Sequence, residues 1–185
     1  MSAFKTLWKS AGLLAIALAS ACAGAQEFKP TSAAVEFATG NATQMLRVGV
    51  QSDWNQDWAA SGGMHWNGYW DVTAAYWRGN RYQNVKGRTQ SFGDIGFTPV
   101  FRYEAQNKKG WYAEAAVGLH YLGERYDNFG RQMSTKFEFG DHIGAGYVFD
   151  NGLELAMKIQ HFSNGGIKHP NGGVNFVEAK AAFHF

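Results

Sequence analysis

The sequence predicts an all-β fold, an eight-stranded antiparallel transmembrane β-barrel, and three observations carry that reading. Apolar and polar residues alternate through eight successive segments, the chain opens with an export signal, and its last segment ends on Phe185. Side chains on a strand alternate faces, so a two-residue period marks a sheet between unlike environments. Aromatics make up 16% of the chain and only three prolines occur, while mean hydropathy is −0.33. An exported, aromatic-rich and locally amphipathic chain of this kind fits a barrel in a membrane. A soluble exported β-sandwich also alternates, and face polarity and the C-terminus separate the two.

The export signal is expected over residues 1–25. Lys5 and Lys9 give it a positive start, Gly12 to Ala21 an apolar core, and Ala23-Gly24-Ala25 a small-x-small cleavage site before Gln26. The apolar stretch is too short to span a bilayer as a helix. Cys22 raises lipidation as an alternative, but Ala19 stands where a leucine is expected three residues earlier. The barrel domain is then 26–185. Removing Lys5 and Lys9 leaves 15 basic and 15 acidic residues, so no basic stripe marks a nucleic-acid binder. The mature part lacks cysteine, which excludes disulfides and thiolate metal sites. Its histidines are scattered, and no metal or cofactor is expected.

The eight segments are 32–40, 44–54, 63–77, 90–105, 111–124, 134–149, 152–163 and 173–185. Trp66, Trp70, Val72, Ala74 and Tyr76 share one parity, as do Ile95, Phe97, Pro99, Phe101 and Tyr103. Trp111, Ala113, Ala115, Val117, Leu119 and Tyr121 form the cleanest set. Opposite faces carry Asp94, Arg102, Glu114 and His120, which suit a polar lumen. Asn107-Lys108-Lys109-Gly110 and Asp150-Asn151-Gly152 read as tight turns. The longer connections near 78–89, 125–133 and 164–172 alternate with them as external loops, whereas Asp53 to Ser61 is long for the opposite, periplasmic end. An even strand count leaves no open edge in lipid. The terminal alternation Val177, Ala179, Ala181, Phe183, Phe185 is similar to the assembly signal of bacterial outer-membrane barrels. Asp141 violates the pattern: it shares parity with Phe139 and Ile143, so a bulge or a local polar role is required there.

The chemistry-bearing segment is 153–163. Leu153, Leu155, Met157, Ile159, His161 and Ser163 share the apolar face, opposite Glu154, Ala156, Lys158, Gln160 and Phe162. The lipid-side set therefore ends in a histidine two positions from a serine. A serine hydroxyl is a weak nucleophile until a base takes its proton, and imidazole titrates near neutrality. Alternation alone leaves open an interfacial His and a loop Ser bonded only to backbone.

His161-Phe162-Ser163-Asn164-Gly165-Gly166, followed by Lys168, Pro170-Asn171-Gly172-Gly173 and Asn175, resembles the signature of the PagL lipid A 3-O-deacylases. Gly68-Tyr69-Trp70-Asp71, Pro99-Val100-Phe101 and Asp141-His142-Ile143-Gly144-Ala145-Gly146 extend the resemblance over most of the mature chain. It implies an outer-membrane esterase with its site on the outside wall, in the outer leaflet. Such an enzyme hydrolyses the ester-linked 3-hydroxyacyl chain at position 3 of lipid A. Lipid A, or lipopolysaccharide, is then the substrate partner. Ser163 is the expected nucleophile and His161 the base. The resemblance implies a glutamate as third member where this sequence has Asn175. An Asn oxygen accepts from the imidazole N–H and fixes its tautomer, but supplies no charge. Glu178 is the alternative third member, although its parity sends it to the lumen. Asn171 occupies the position that the family links to the oxyanion hole, and Asn164 and Gly166 are further donor candidates. Lys168 and His169 share that external loop, where a lipid phosphate or plain solvent are both open.

Two other readings compete. A structural or adhesive eight-stranded barrel treats His161 and Ser163 as accidents on a face that disfavours polar groups. An acyltransferase is expected to carry its catalytic groups on external loops or in a lumen pocket.

Overall fold

The computed structural model describes residues 27–185. The expected signal peptide and its cleavage before Gln26 lie outside the described residues. Strands are β1 (Ser32–Gly40), β2 (Thr43–Asp53), β3 (Trp58–Ser61), β4 (Met64–Gly79), β5 (Gln90–Ala105) and β6 (Gly110–Leu122), then β7 (Asp127–Asn128), β8 (Arg131–Gln132), β9 (Phe137–Val148), β10 (Leu153–Ser163) and β11 (Val174–His184). Eight of them form the wall in the order β1, β2, β4, β5, β6, β9, β10, β11, and β11 pairs back to β1. Every pairing is antiparallel, and closure leaves the wall no free edge.

The eight expected segments are the eight wall strands, with ends displaced by up to three residues. Three short strands are additional. β3 folds back on β4 across an irregular register, and accounts for the long connection at the periplasmic end. β7 and β8 form a small hairpin inside the external connection from β6 to β9.

Outward positions are apolar and bare, with Ile95 and Ile143 each 64% exposed. A continuous belt of this kind is the lipid-facing surface of a membrane barrel. Inward positions are charged and closed off. Arg47 reaches Glu36 at 2.9 Å, and Lys158 bridges Glu36 at 2.8 Å and Glu178 at 2.6 Å. A second lumen cluster joins Arg102 to Glu114 at 2.8 Å and to Glu154 at 3.1 Å, with the Tyr112 hydroxyl donating to Glu154 at 2.6 Å. Mutual pairing is what makes so many buried charges tolerable, because each alone would cost several kcal/mol (about 3–5 when a partner is removed).

The external mouth is closed by a different material. Trp77, Phe92, Tyr126, Phe162 and Phe176 pack with Leu122 and Met133 in one buried apolar cluster. The Phe162 ring meets Trp77 edge-on at 4.8 Å, and Phe176 meets Trp77 at 5.1 Å. This plug anchors the end of β10 from inside. Because Phe162 is buried there, strand alternation turns its neighbours His161 and Ser163 outward.

Candidate active site

His161 lies in the middle of three adjacent strands. Its direct cross-strand partners are Asp141 on β9 and Asn175 on β11, so three polar side chains form one row across the outer wall. Ser163 is the next outward residue toward the external end and pairs with Phe139. Around the row the same face is hydrocarbon: Ile143 on β9, Ile159 on β10 and Val177 on β11.

Asn175 holds the imidazole. Its Oδ1 accepts a hydrogen bond from His161 Nδ1 at 2.5 Å. With the proton on Nδ1, the lone pair is on Nε2, the tautomer a general base requires. The backbone N–H of Asn175 donates to Asn41 Oδ1 at 2.8 Å, which ties this strand end to the β1–β2 turn. Gly173 makes room for the ring. A Cβ there would stand 2.7 Å from His161 Cε1, and its φ of +60° disfavours other residues in any case.

His161 and Ser163 share the outer face, yet among the described hydrogen bonds none joins them. Ser163 Oγ instead accepts from the Gly165 N–H at 3.4 Å. Catalytic hydrogen bonds in general are commonly long without substrate and tighten when it binds. Glu178, the alternative third member, is fully buried in the lumen between Arg47 and Lys158. It faces away from the row, as its parity predicts.

The three donor candidates differ in their commitments. The Gly166 N–H donates to Asn164 Oδ1 at 3.0 Å, and Asn164 Nδ2 donates to the Lys168 carbonyl at 2.7 Å. Both therefore shape the loop in this state. Asn171 uses its oxygen to accept from the Asn164 N–H at 3.1 Å, which leaves its amide NH₂ as donor. Lys168 and His169 are exposed on the same loop.

The loop is held from outside by residues that sequence spacing does not reveal. The Arg131 guanidinium donates to the Gly172 carbonyl at 2.8 Å, and the Gly172 N–H donates to the Gln132 carbonyl at 2.7 Å. Met133 bridges to Asn171, and the Ser134 N–H donates to the Pro170 carbonyl at 3.0 Å. The β7–β8 hairpin thus clasps the segment that carries Asn171. Among the described residues no group of His, Cys, Asp and Glu is arranged to hold a metal ion.

A closed barrel with a hydrocarbon wall, a charged lumen and a His–Ser–Asn cluster on its outside defines an outer-membrane β-barrel enzyme. The family model described as Lipid A 3-O-deacylase (PagL) matches residues 44–184. The chain belongs to that family. It is 32% identical over 160 residues to the lipid A deacylase PagL of Pseudomonas aeruginosa, covering 85% of this chain and 87% of that one. It is 30% identical over 179 residues to the lipid A deacylase PagL of Bordetella bronchiseptica, covering 94% of each. The crystal structure of the outer membrane enzyme PagL matches with a TM-score of 0.69 at 27% identity, covering 85% of this chain and 100% of that one.

Proposed function

We propose that this protein hydrolyses the ester-linked 3-hydroxyacyl chain at position 3 of lipid A, with Ser163 as nucleophile and His161 as general base. The observation that carries the reading is the outward row at the external end of β10. There Asn175 fixes the tautomer of His161, and Ser163 stands on the same lipid-facing side. The substrate's acyl chains lie along the hydrocarbon of Ile143, Ile159 and Val177 while its sugar reaches the loop above.

Chemistry follows in two halves. Ser163 Oγ attacks the ester carbonyl as its proton passes to His161 Nε2. The oxyanion that forms is met by the Asn171 amide, and by backbone N–H groups of the Gly165–Gly166 turn once substrate displaces their present partners. Collapse breaks the ester bond, and the imidazolium gives its proton to the departing sugar hydroxyl. Water then attacks the acyl-serine with His161 again as base, releasing a 3-hydroxy fatty acid and restoring Ser163. Residues 1–25 serve as the signal peptide that brings the chain to the outer membrane.

Lipid A from cells carrying the wild type, Ser163→Ala or His161→Ala tests the reading. Mass spectrometry should show loss of one 3-hydroxyacyl group with the wild type. Release should fall by about three orders of magnitude in either variant. Both variants should remain heat-modifiable barrels, since neither side chain packs in the core. Near wild-type release from a folded variant removes that residue from the mechanism.

A further inference from the structure

We propose that Asn41, on the turn between β1 and β2, is a positioning residue for the reaction: it fixes the backbone of Asn175 and, through Asn175, the orientation of His161. The proposal rests on the Ser163–His161 reading above and extends it to a residue that acts only through Asn175.

The need for such a residue comes from strands of unequal reach. β11 pairs with β10 as far as Val174 and Phe162, but its pairing with β1 ends at Val177 and Thr39. Val174, Asn175 and Phe176 therefore have a strand on one side only. The Asn175 N–H points to the other side, where a backbone donor left unmet beside lipid is costly. Asn41 Oδ1 accepts from it at 2.8 Å and stands in for the carbonyl of a longer β1. Gly40 makes that reach possible. A Cβ there would overlap the Asn175 carbonyl oxygen, so any side chain would push the turn off β11.

The turn that carries Asn41 is itself held. Asn41 and Ala42 have φ of 48° and 55°, the left-handed pair of a type I′ hairpin, in which asparagine is favoured at the first position. The Asn41 carbonyl accepts from Asn128 Nδ2 at 3.1 Å and from the Tyr126 hydroxyl at 3.5 Å. The Thr43 hydroxyl meets the same two side chains at 3.0 Å each, and Asn128 is fully buried. One hydrogen-bonded line thus runs from Asn128 through Asn41 and Asn175 to His161. A third member without charge makes this support matter. A carboxylate attracts an imidazole N–H strongly, and attraction corrects small errors of position. The neutral amide of Asn175 pulls less, so its bond to His161 Nδ1 depends on where β11 holds it.

The test is a double-variant cycle on the purified barrel in mixed micelles containing lipid A. Wild type, Asn41→Gly, Asn175→Ala and the double variant are compared by kcat and KM, and the residue-175 amide is followed by hydrogen exchange. Glycine keeps the left-handed turn and removes only the acceptor, so the barrel should stay heat-modifiable. In Asn41→Gly, exchange at Asn175 should quicken by about tenfold or more, and kcat should fall about fivefold with KM within about twofold of wild type. With Asn175→Ala present, the same change should cost no more than about twofold in kcat. Asn41→Asp, which restores an acceptor, should return exchange and kcat to within about threefold of wild type. Exchange that stays slow in Asn41→Gly overturns the proposal, as does quickened exchange without loss of kcat. An equal loss in both backgrounds also overturns it, because it marks a merely structural role. Should Asn41→Gly misassemble, Asn41→Ser carries the same comparison, since its hydroxyl stops short of the Asn175 N–H. Activity in Ser163→Ala defeats the nucleophile assignment independently and leaves the exchange result at Asn175 standing.

Discussion

Glu178 and Asp141 are carboxylates on the two strands that flank β10, and they face opposite ways. Glu178 lies in the lumen, gripped by the cations of Arg47 and Lys158. Asp141 lies on the outer wall, and its cross-strand neighbour is a histidine. A carboxylate held between two cations has its charge committed to holding the barrel closed. On the proposed mechanism that histidine, unlike the lumen cations, gains and loses a proton in each turnover. The same wall therefore separates an ion-pair network in the lumen from the proposed site outside by a single strand thickness.

Substitutions at three positions probe this division, beyond those that test the dyad. The largest effect is expected at the oxyanion. Asn171→Ala should reduce kcat by about a hundredfold with little change in KM, read as release of 3-hydroxy fatty acid. An unchanged kcat would shift the oxyanion role to the turn N–H groups. Next is Asn175→Ala, which frees the imidazole to rotate and should cost about tenfold in the chemical step, because the proposed nucleophile and oxyanion donors remain. Asn175→Glu should be tolerated and should raise activity. The smallest effect on catalysis is expected from Glu178→Gln, with kcat within about twofold of wild type. Its cost should appear in stability, as a fall of roughly 5 °C or more in the heat-modifiability midpoint. An inactive Glu178→Gln beside a fully active Asn175→Ala would break the comparison, since a one-residue shift in register exchanges the two faces.

Much of this was legible in sequence because a barrel wall imposes a strict period of two. Leu153 to Ser163 could be assigned faces from parity alone, and the lumen position of Glu178 followed from the same rule. Asp141 stood out for violating it, but its reason depends on which β10 residue lies opposite, and parity within one strand holds no information about register between strands. The short pairings were invisible for another reason. β7 and β8 contribute two residues each, too few for any periodicity, and their grip on the 164–173 segment joins residues some forty positions apart. Asn164 and Gly166 carried the right chemistry for donors, and only three-dimensional geometry reveals that they already bond within their own turn.

On the proposed assignment of the site, the outward direction of His161 and Ser163 has a kinetic consequence. A substrate reaching these side chains arrives by sliding along the wall, without leaving the bilayer. The encounter is two-dimensional, so the rate depends on the mole fraction of substrate in the leaflet and on lateral diffusion. Bulk concentration in the surrounding water has no direct bearing on it. Packing the same leaflet with inert lipid slows the enzyme by dilution alone, and any influence that thins or crowds the outer leaflet becomes a control on turnover that requires no binding site on the protein.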